Sequence, residues 1–97
     1  MSEVQHEPAK NRFTYTTEGK TARIDYEMRG DDRIAFLHTE TPPSLQGQGI
    51  ASRMAEAALN YAMDREFHVL PYCPFIRKYI QEHDQFKCLV PEGFGKF

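Results

Sequence analysis

The sequence predicts an α+β fold in which a single layer of mostly antiparallel sheet carries a βαβ crossover and two main helices. Two patterns indicate this class. Residues 22–28 alternate apolar and polar side chains, which is the period of a strand with one buried face. Residues 50–66 repeat apolar side chains every three or four positions, as a helix that packs against a sheet does.

The chain begins with a lead-in and a hairpin. Residues 1–11 are polar, charged and without periodicity, so we expect them to be flexible and to precede a single domain over residues 12–97. Phe13 and Tyr15 alternate with polar residues in a composition that favours a strand. Glu18-Gly19 supplies the turn to the next strand.

Two further strands complete the predicted antiparallel part of the sheet. The strand at 22–28 is followed by a turn at 30–32 and by a strand over 33–41 whose two faces are both partly apolar. Such a strand is expected to be covered on both sides. It must end at Pro42-Pro43, because proline has no amide hydrogen to give to a neighbouring strand.

The second half of the chain predicts the crossover. Strand 33–41, helix 50–66 and an apolar strand at 67–70 follow one another in the order of a right-handed βαβ unit. The helix face that is expected to pack on the sheet holds Ile50, Met54, Ala57, Ala58, Tyr61 and Ala62.

A second helix begins at Pro74, because proline suits the first helical position, and it is expected to extend to about His83. A short strand over 86–90 is predicted next. The chain then loosens after its last proline, where Phe94 and Phe97 are expected to be exposed.

Length and charge limit the classes of function. A chain of 97 residues builds one domain, and a net charge of −2 gives no basic surplus to attract nucleic acid or an anionic membrane. No apolar run is long enough to cross a membrane, and the polar N-terminus fits no secretory signal. We therefore expect a cytoplasmic protein, a monomer or weak dimer, whose two cysteines are thiols.

The turn before the first helix is the place where the residues point to a function. Gly47 and Gly49 permit backbone angles closed to other residues and let a ligand approach the main chain. The first amides of a helix have no partner within it, and its dipole is positive at that end, so the turn can hold a phosphate or pyrophosphate. Spacing alone leaves open an ordinary strand-to-helix turn that carries two glycines.

The residues around this turn carry a family resemblance. Residues 46–51 read Gln-Gly-Gln-Gly-Ile-Ala and fit the Q/R-x-x-G-x-G/A signature of acetyl-coenzyme A binding. Over about residues 13–90 the chain resembles the GNAT acetyltransferase superfamily, and more narrowly its minimal branch. The pieces of that branch occur here in order as His38-Thr39-Glu40, Pro42-Pro43, Gly47 to Ala51, an alanine-rich helix from Ala51 to Ala62, and Pro71-Tyr72-Cys73-Pro74-Phe75.

The resemblance implies a GNAT-type crossover and transfer of acetyl from acetyl-coenzyme A to an amine. It leaves open whether the amine belongs to a small molecule or to a protein lysine or N-terminus. It also implies that main-chain amides of residues 46–51 hold the pyrophosphate. The residues implied to contact the cosubstrate are Thr39, Thr41, Gln46, Gly47, Gln48, Gly49, Ile50, Ala51, Cys73 and Phe75.

Three residues are candidates for catalysis. Cys73 precedes Pro74 at a predicted helix start, where the dipole and free amides favour a thiolate. By resemblance, Cys73 either accepts the acetyl group or protonates the departing coenzyme thiolate; from the residues alone, a small buried apolar group is the alternative. His38 and Glu40 share one face of the predicted strand and could take the proton of the amine. Their alternatives are a hydrogen-bonded histidine and a solvated carboxylate.

Two other classes of function stay open. One is a non-catalytic module that uses the same fold to bind acyl-coenzyme A or a protein partner. The other is a thiol-responsive or metal-responsive protein built on Cys73 and Cys88. His68 and His83 add ligand types, but no C-x-x-C pair is present, and we expect no metal site.

Overall fold

The computed structural model describes residues 4–91, and the predicted loose tail with Phe94 and Phe97 lies outside them. The strands are β1 (Val4–Glu7), β2 (Arg12–Thr17), β3 (Lys20–Arg29), β4 (Arg33–Glu40) and β5 (His68–Pro71). The helices are α1 (Ile50–Asp64) and α2 (Pro74–Glu82). Short 3-10 segments span Pro8–Lys10, Pro43–Leu45 and Asp84–Leu89.

The strands form one sheet in the order β1-β2-β3-β4-β5. Neighbouring strands pair antiparallel except β4 and β5, which are parallel and are joined through α1. The predicted fold class is thus confirmed: the sheet is mostly antiparallel, and it carries one βαβ crossover and two main helices. The hairpin turn at Glu18-Gly19 and the end of β4 before Pro42-Pro43 lie where the sequence predicts them.

Both helices pack on the sheet, and their apolar side chains join one buried cluster with side chains of the strands. The face that α1 buries is broader than predicted. Ala55 and Leu59 are fully buried. Ala57 and Tyr61, which were expected to face the sheet, are half-buried. The difference arises because α1 also contacts α2 and the segment Asp84–Leu89, which the pattern of a single helix does not reveal.

The structure differs from the flexible lead-in predicted for residues 1–11. Within this segment β1 adds a strand to the sheet beside β2, and a 3-10 turn follows it. His6 anchors β1, because its ring stacks on Phe13 with 4.2 Å between the ring centroids and its Nε2 lies 2.6 Å from the hydroxyl of Tyr26. These partners belong to other strands, so local periodicity gives no sign of them.

The C-terminal segment also differs from the prediction. The strand predicted at 86–90 is wrong, because a 3-10 helix spans Asp84–Leu89. The buried side chains of this segment are Phe86 and Leu89. Their separation of three residues fits the period of a 3-10 turn and not the period of two in a strand.

The burial of His6 predicts that stability depends on pH. Burial first, and then the charge of Arg65, lower the pKa of His6 below its ordinary value of 6.5. The unfolded chain therefore binds this proton more readily than the folded protein does. The contribution of His6 to stability is present above pH 6.5 and is lost as the pH falls below that value.

Thermal unfolding between about pH 7.5 and about pH 5 measures this effect. The wild type should lose stability across the range, and His6→Phe, which keeps an aromatic ring beside Phe13, should lose less. His68→Gln replaces an exposed histidine of β5 and is the control. If the stability of His6→Phe fell with pH as steeply as that of the wild type, the assignment of the pH dependence to His6 would be contradicted.

Candidate active site

A bulge in β4 decides which side chains of this strand face the helices. Phe36 pairs with Tyr26 and His38 pairs with Asp25, so Leu37 is an extra residue without a partner in β3. An extra residue exchanges the two faces for every side chain that follows it. The sequence predicts that this strand is covered on both sides. Leu37 is 39% exposed, so the prediction does not hold along the whole length of β4.

The bulge turns Thr39 towards the helices. Thr39 pairs with Ile24, which is fully buried in the core, and its Oγ1 lies 3.2 Å from Sγ of Cys73. The structure thus brings together Thr39 and Cys73, two of the predicted site residues. His38 and Glu40, on either side of Thr39 in the chain, face the opposite side of the sheet.

The two parallel strands separate where their pairing ends. The last pair joins Phe36 and Pro71, at the end of β5. The amide of Cys73 then donates to the carbonyl of Phe36 over 2.9 Å. β4 continues to Glu40, which leaves an opening between its last residues and the start of α2. This opening lies at the carboxyl ends of both strands, where ligands commonly bind in such units.

Cys73 is held firmly at the start of α2. It caps this helix, and Pro74 follows at a position where no intrahelical amide bond is lost. The amide of Cys73 bonds to β4, and its carbonyl accepts the amide of Arg77 over 3.0 Å. The residue is only 3% exposed, and its thiol does not form a disulfide. The backbone of Cys73 is therefore fixed from both sides.

The turn between β4 and α1 has the glycine geometry that the sequence indicates. Gly47 and Gly49 have φ angles of +83° and +75°, which side chains rarely allow. A Cβ at either position would meet nothing within 4 Å, so the space above the turn is open. The side-chain amides of Gln46 and Gln48 close the turn by donating to main-chain carbonyls of the preceding segment, each over 3.1 Å.

A cavity of about 220 Å³ lies over this turn. Its lining residues are Thr41, Leu45, Gln46, Gly47, Gly49, Ile50, Ala51, Ser52 and Phe75. Most of the residues predicted to contact the cosubstrate are therefore in its wall. The sequence analysis did not predict the lining residues Leu45 and Ser52. Ser52 could have been predicted from its position in the first turn of the helix. Gln48 is not among the lining residues. Thr39 and Cys73 each precede a lining residue by two positions.

The start of α1 is suited to an anion. This helix has 15 residues, its capping residue Gly49 provides no side-chain hydrogen bond, and its first turn holds no acidic residue. The amides of Ile50, Ala51 and Ser52 have no partner within the helix, and the helix dipole is positive at this end. A phosphate group can therefore bind in the cavity by main-chain hydrogen bonds alone.

The outer face of the sheet carries the other two predicted catalytic residues. The side chains of His38 and Glu40 are 60% and 55% exposed, and Nε2 of His38 lies 3.7 Å from the Glu40 carboxylate. Arg23 bridges Glu40 at 2.9 Å and Asp25 at 3.0 Å. The hydrogen bond that Arg23 donates to Asp25, with the nearby charges of both carboxylates, raises the pKa of Arg23. The structure brings His38 and Glu40 together, but on the side opposite the Thr39 and Cys73 contact.

Comparison with known proteins identifies the family of this chain. The family model described as GCN5-related N-acetyl-transferase matches residues 12–89, which is most of the chain. The chain belongs to this acetyltransferase family. Its members generally use acetyl-coenzyme A as cosubstrate, and the glycine turn and the cavity lie within the matched residues.

Relatives and a solved structure agree with the family. The chain is 31% identical to Protein NATD1 of Gallus gallus over 83 residues, which cover 84% of this chain and 76% of that protein. It is 32% identical to Protein NATD1 of Homo sapiens over 82 residues, which cover 82% and 73%. The solution structure of a GCN5-like protein from Staphylococcus aureus superimposes with a TM-score of 0.72 at 21% identity, covering 92% of this chain and 87% of that one. The last similarity supports the fold.

Metal-binding side chains are not clustered in the described part of this domain. Among residues 4–91, no three His, Cys, Asp or Glu side chains are close enough to hold a metal ion. Cys88 is exposed, and its Sγ lies 3.6 Å from the carbonyl of Gln85. No helix in the described part of the chain is both long and apolar enough to cross a membrane.

Proposed function

We propose that this protein binds acetyl-coenzyme A and transfers its acetyl group to an amine. The observation that carries the proposal is the position of the cavity. The cavity lies over the glycine-lined start of α1, and its wall includes Thr41 and Phe75. Thr39 and Cys73, whose side chains are in contact, each come two residues before one of these wall residues. The buried thiol thus lies two residues along the chain from the wall of the proposed phosphate site.

The open space over Gly47 and Gly49 fits the pyrophosphate of the coenzyme. A side chain at either position would enter that space, and glycine leaves the main chain accessible. Amides from residues 47–52 are available to bond phosphate oxygens, whereas the amide of Gln46, also expected to contribute, already donates to the carbonyl of Pro43 over 3.3 Å. The first turn of α1 holds no carboxylate that would repel the phosphates.

The pantetheine arm then lies along the last residues of β4. This part of the strand has no partner in β5, because β5 ends at Pro71. Successive residues on one face of a strand are about 7 Å apart. An arm that passes Thr41 and Phe75 therefore brings the thioester close to Thr39 and Cys73.

Acetyl transfer needs one bond to form and one to break. The amine nitrogen attacks the thioester carbonyl, the carbon–sulfur bond breaks, and the amine loses a proton. Cys73 can protonate the leaving coenzyme thiolate. Alternatively, the Cys73 thiolate attacks the thioester first and the proton of the thiol ends on the departing coenzyme thiolate; the amine then takes the acetyl group from Cys73, and the proton that the amine loses restores the thiol. Both routes use the sulfur atom of Cys73, as acid or as nucleophile.

His38 and Glu40 are proposed to act on the amine from the outer face. The helices cover the inner face, so an acceptor that approaches from the outer side of the opening meets these exposed side chains first. Because the reaction at Cys73 lies on the other face of β4, His38 takes the proton of the amine through an intervening water at the unpaired edge of the strand, and Glu40, 3.7 Å away, stabilises the imidazolium that forms. The acceptor is a small-molecule amine or a protein lysine or N-terminus.

The proposal is tested by the loss of thioester absorbance when acetyl-coenzyme A is mixed with the protein and a panel of polyamines, amino acids and lysine peptides. Amine-dependent loss is expected, with the acetylated product identified by mass spectrometry. His38→Gln should reduce the rate by about a hundredfold, as loss of a general base does. His68→Gln, at the other end of the parallel strand pair, is the matched control. Binding without amine-dependent loss would instead support a non-catalytic acyl-coenzyme A module or a protein-interaction module.

A further inference from the structure

We propose that Thr39 is a positioning residue for the thiol of Cys73, a role that rests on the proposed function. The two side chains form a direct contact, with 3.2 Å between Oγ1 of Thr39 and Sγ of Cys73. The residues come from elements far apart in the chain, and the contact exists only because the bulge at Leu37 turns Thr39 inward.

The geometry of Cys73 leaves one degree of freedom for Thr39 to fix. The amide of Cys73 bonds to the carbonyl of Phe36 in β4, and its carbonyl bonds to the amide of Arg77 in α2. Its backbone is therefore held at both ends, and only rotation about the Cα–Cβ bond remains. Thr39 is β-branched, which restricts its own side chain, so its hydroxyl is a rigid partner for the thiol.

A hydroxyl suits both protonation states of the cysteine. It can accept a hydrogen bond from the thiol and can donate one to the thiolate, because it has a donor and two acceptor lone pairs. The hydrogen bond to a charged sulfur is the stronger of the two. Thr39 can therefore keep Sγ in one orientation before and after Cys73 gives up its proton, which both proposed routes require.

Two substitutions separate positioning from packing. Thr39→Val keeps the branched shape but removes the hydroxyl, and Thr39→Ser keeps the hydroxyl. We expect Thr39→Val to lower kcat about tenfold with KM for acetyl-coenzyme A unchanged, and Thr39→Ser to restore most of kcat. A wild-type kcat in Thr39→Val would overturn the proposal. A raised KM with unchanged kcat would overturn it as well, because it would assign Thr39 to coenzyme binding alone.

A second readout needs no turnover. In a Cys88→Ser background, where Cys73 is the remaining cysteine, the rate of alkylation by iodoacetamide is measured by mass spectrometry. Loss of the donor to the thiolate should slow alkylation in Thr39→Val about tenfold, whereas simple loosening of the structure would speed it. Equal or faster alkylation would overturn the role of Thr39. The alkylation rates test the role of Thr39 independently of turnover. If the Cys88→Ser protein is alkylated faster than its Thr39→Val variant but the wild type transfers no acetyl group to any amine, the proposed function fails while the role of Thr39 stands.

Discussion

Replacing Cys73 by alanine should slow acetyl transfer by about a hundredfold or more, because either proposed role places this thiol at the breaking carbon–sulfur bond. Affinity for acetyl-coenzyme A should stay close to that of the wild type, since the phosphate site at Gly47 and Gly49 is untouched. Steady-state rates with a reactive amine, together with a binding titration, measure the two quantities separately.

The two roles of the thiol are distinguished by mass spectrometry and not by the variant Cys73→Ser. A serine hydroxyl is a poor acid and a poor nucleophile, so Cys73→Ser should also be slow. Mass spectrometry of the wild type, stopped before the amine is added, should find an acetyl adduct on Cys73 if this residue accepts the group, and none if it acts as acid. Cys88→Ser is the matched control, because Cys88 is exposed and lies outside the site. A Cys73→Ala variant as fast as the wild type would remove Cys73 from the mechanism.

Replacing Phe36 by alanine should destabilise the fold by about 3–5 kcal/mol. Phe36 is fully buried in the core, where its ring meets Tyr26 with 6.2 Å between centroids. It also belongs to the last pair between β4 and β5, next to the opening. A loss of this size is a large part of the total stability of a small domain, so partial unfolding at room temperature is expected.

Leu37→Ala is the matched control for Phe36→Ala. Leu37 is the next residue in the chain, but it is 39% exposed at the bulge, so its truncation should cost less than about 1 kcal/mol. Urea unfolding followed by circular dichroism measures both variants. Similar losses in the two variants would contradict the placement of Phe36 in the core and Leu37 on the outer face.

Most of the fold follows from patterns within single elements. The alternation at 22–28, the prolines after β4 and the period of α1 each depend on neighbouring residues, and the elements that these patterns predict are present. Features that depend on distant partners were not predictable in this way. The anchoring of β1 by His6 requires rings from two other strands, and the flank of α1 is buried by segments that follow it.

The candidate site likewise has a part that neighbouring residues predict and a part that depends on distant residues. The glycine turn and the cavity residues Gln46, Gly47, Gly49, Ile50 and Ala51 follow from a contiguous motif. The bulge at Leu37 does not, because one extra residue in β4 shows only when the partner strand β3 is known. Without the bulge, strict alternation would put His38 and Glu40 on one face with the buried residues Ile34 and Phe36. With it, Thr39 contacts Cys73, while His38 and Glu40 face the outer side of the sheet.

The central claim is that the turn at Gly47 and Gly49 binds the phosphates of acetyl-coenzyme A. Calorimetric titration with acetyl-coenzyme A and with coenzyme A should show saturable binding to the wild type and its loss in Gly49→Glu, whose carboxylate would occupy the anion site. Gly30→Glu is the matched control, because Gly30 also has a positive φ, +73°, and open space around it but lies in the turn between β3 and β4.

This titration distinguishes a blocked phosphate site from general strain, since both glycines have nearly equal positive φ angles. Binding that survives in Gly30→Glu and disappears in Gly49→Glu is the result that we predict. No binding to the wild type at about millimolar ligand, or equal binding by wild type and Gly49→Glu, would contradict the claim.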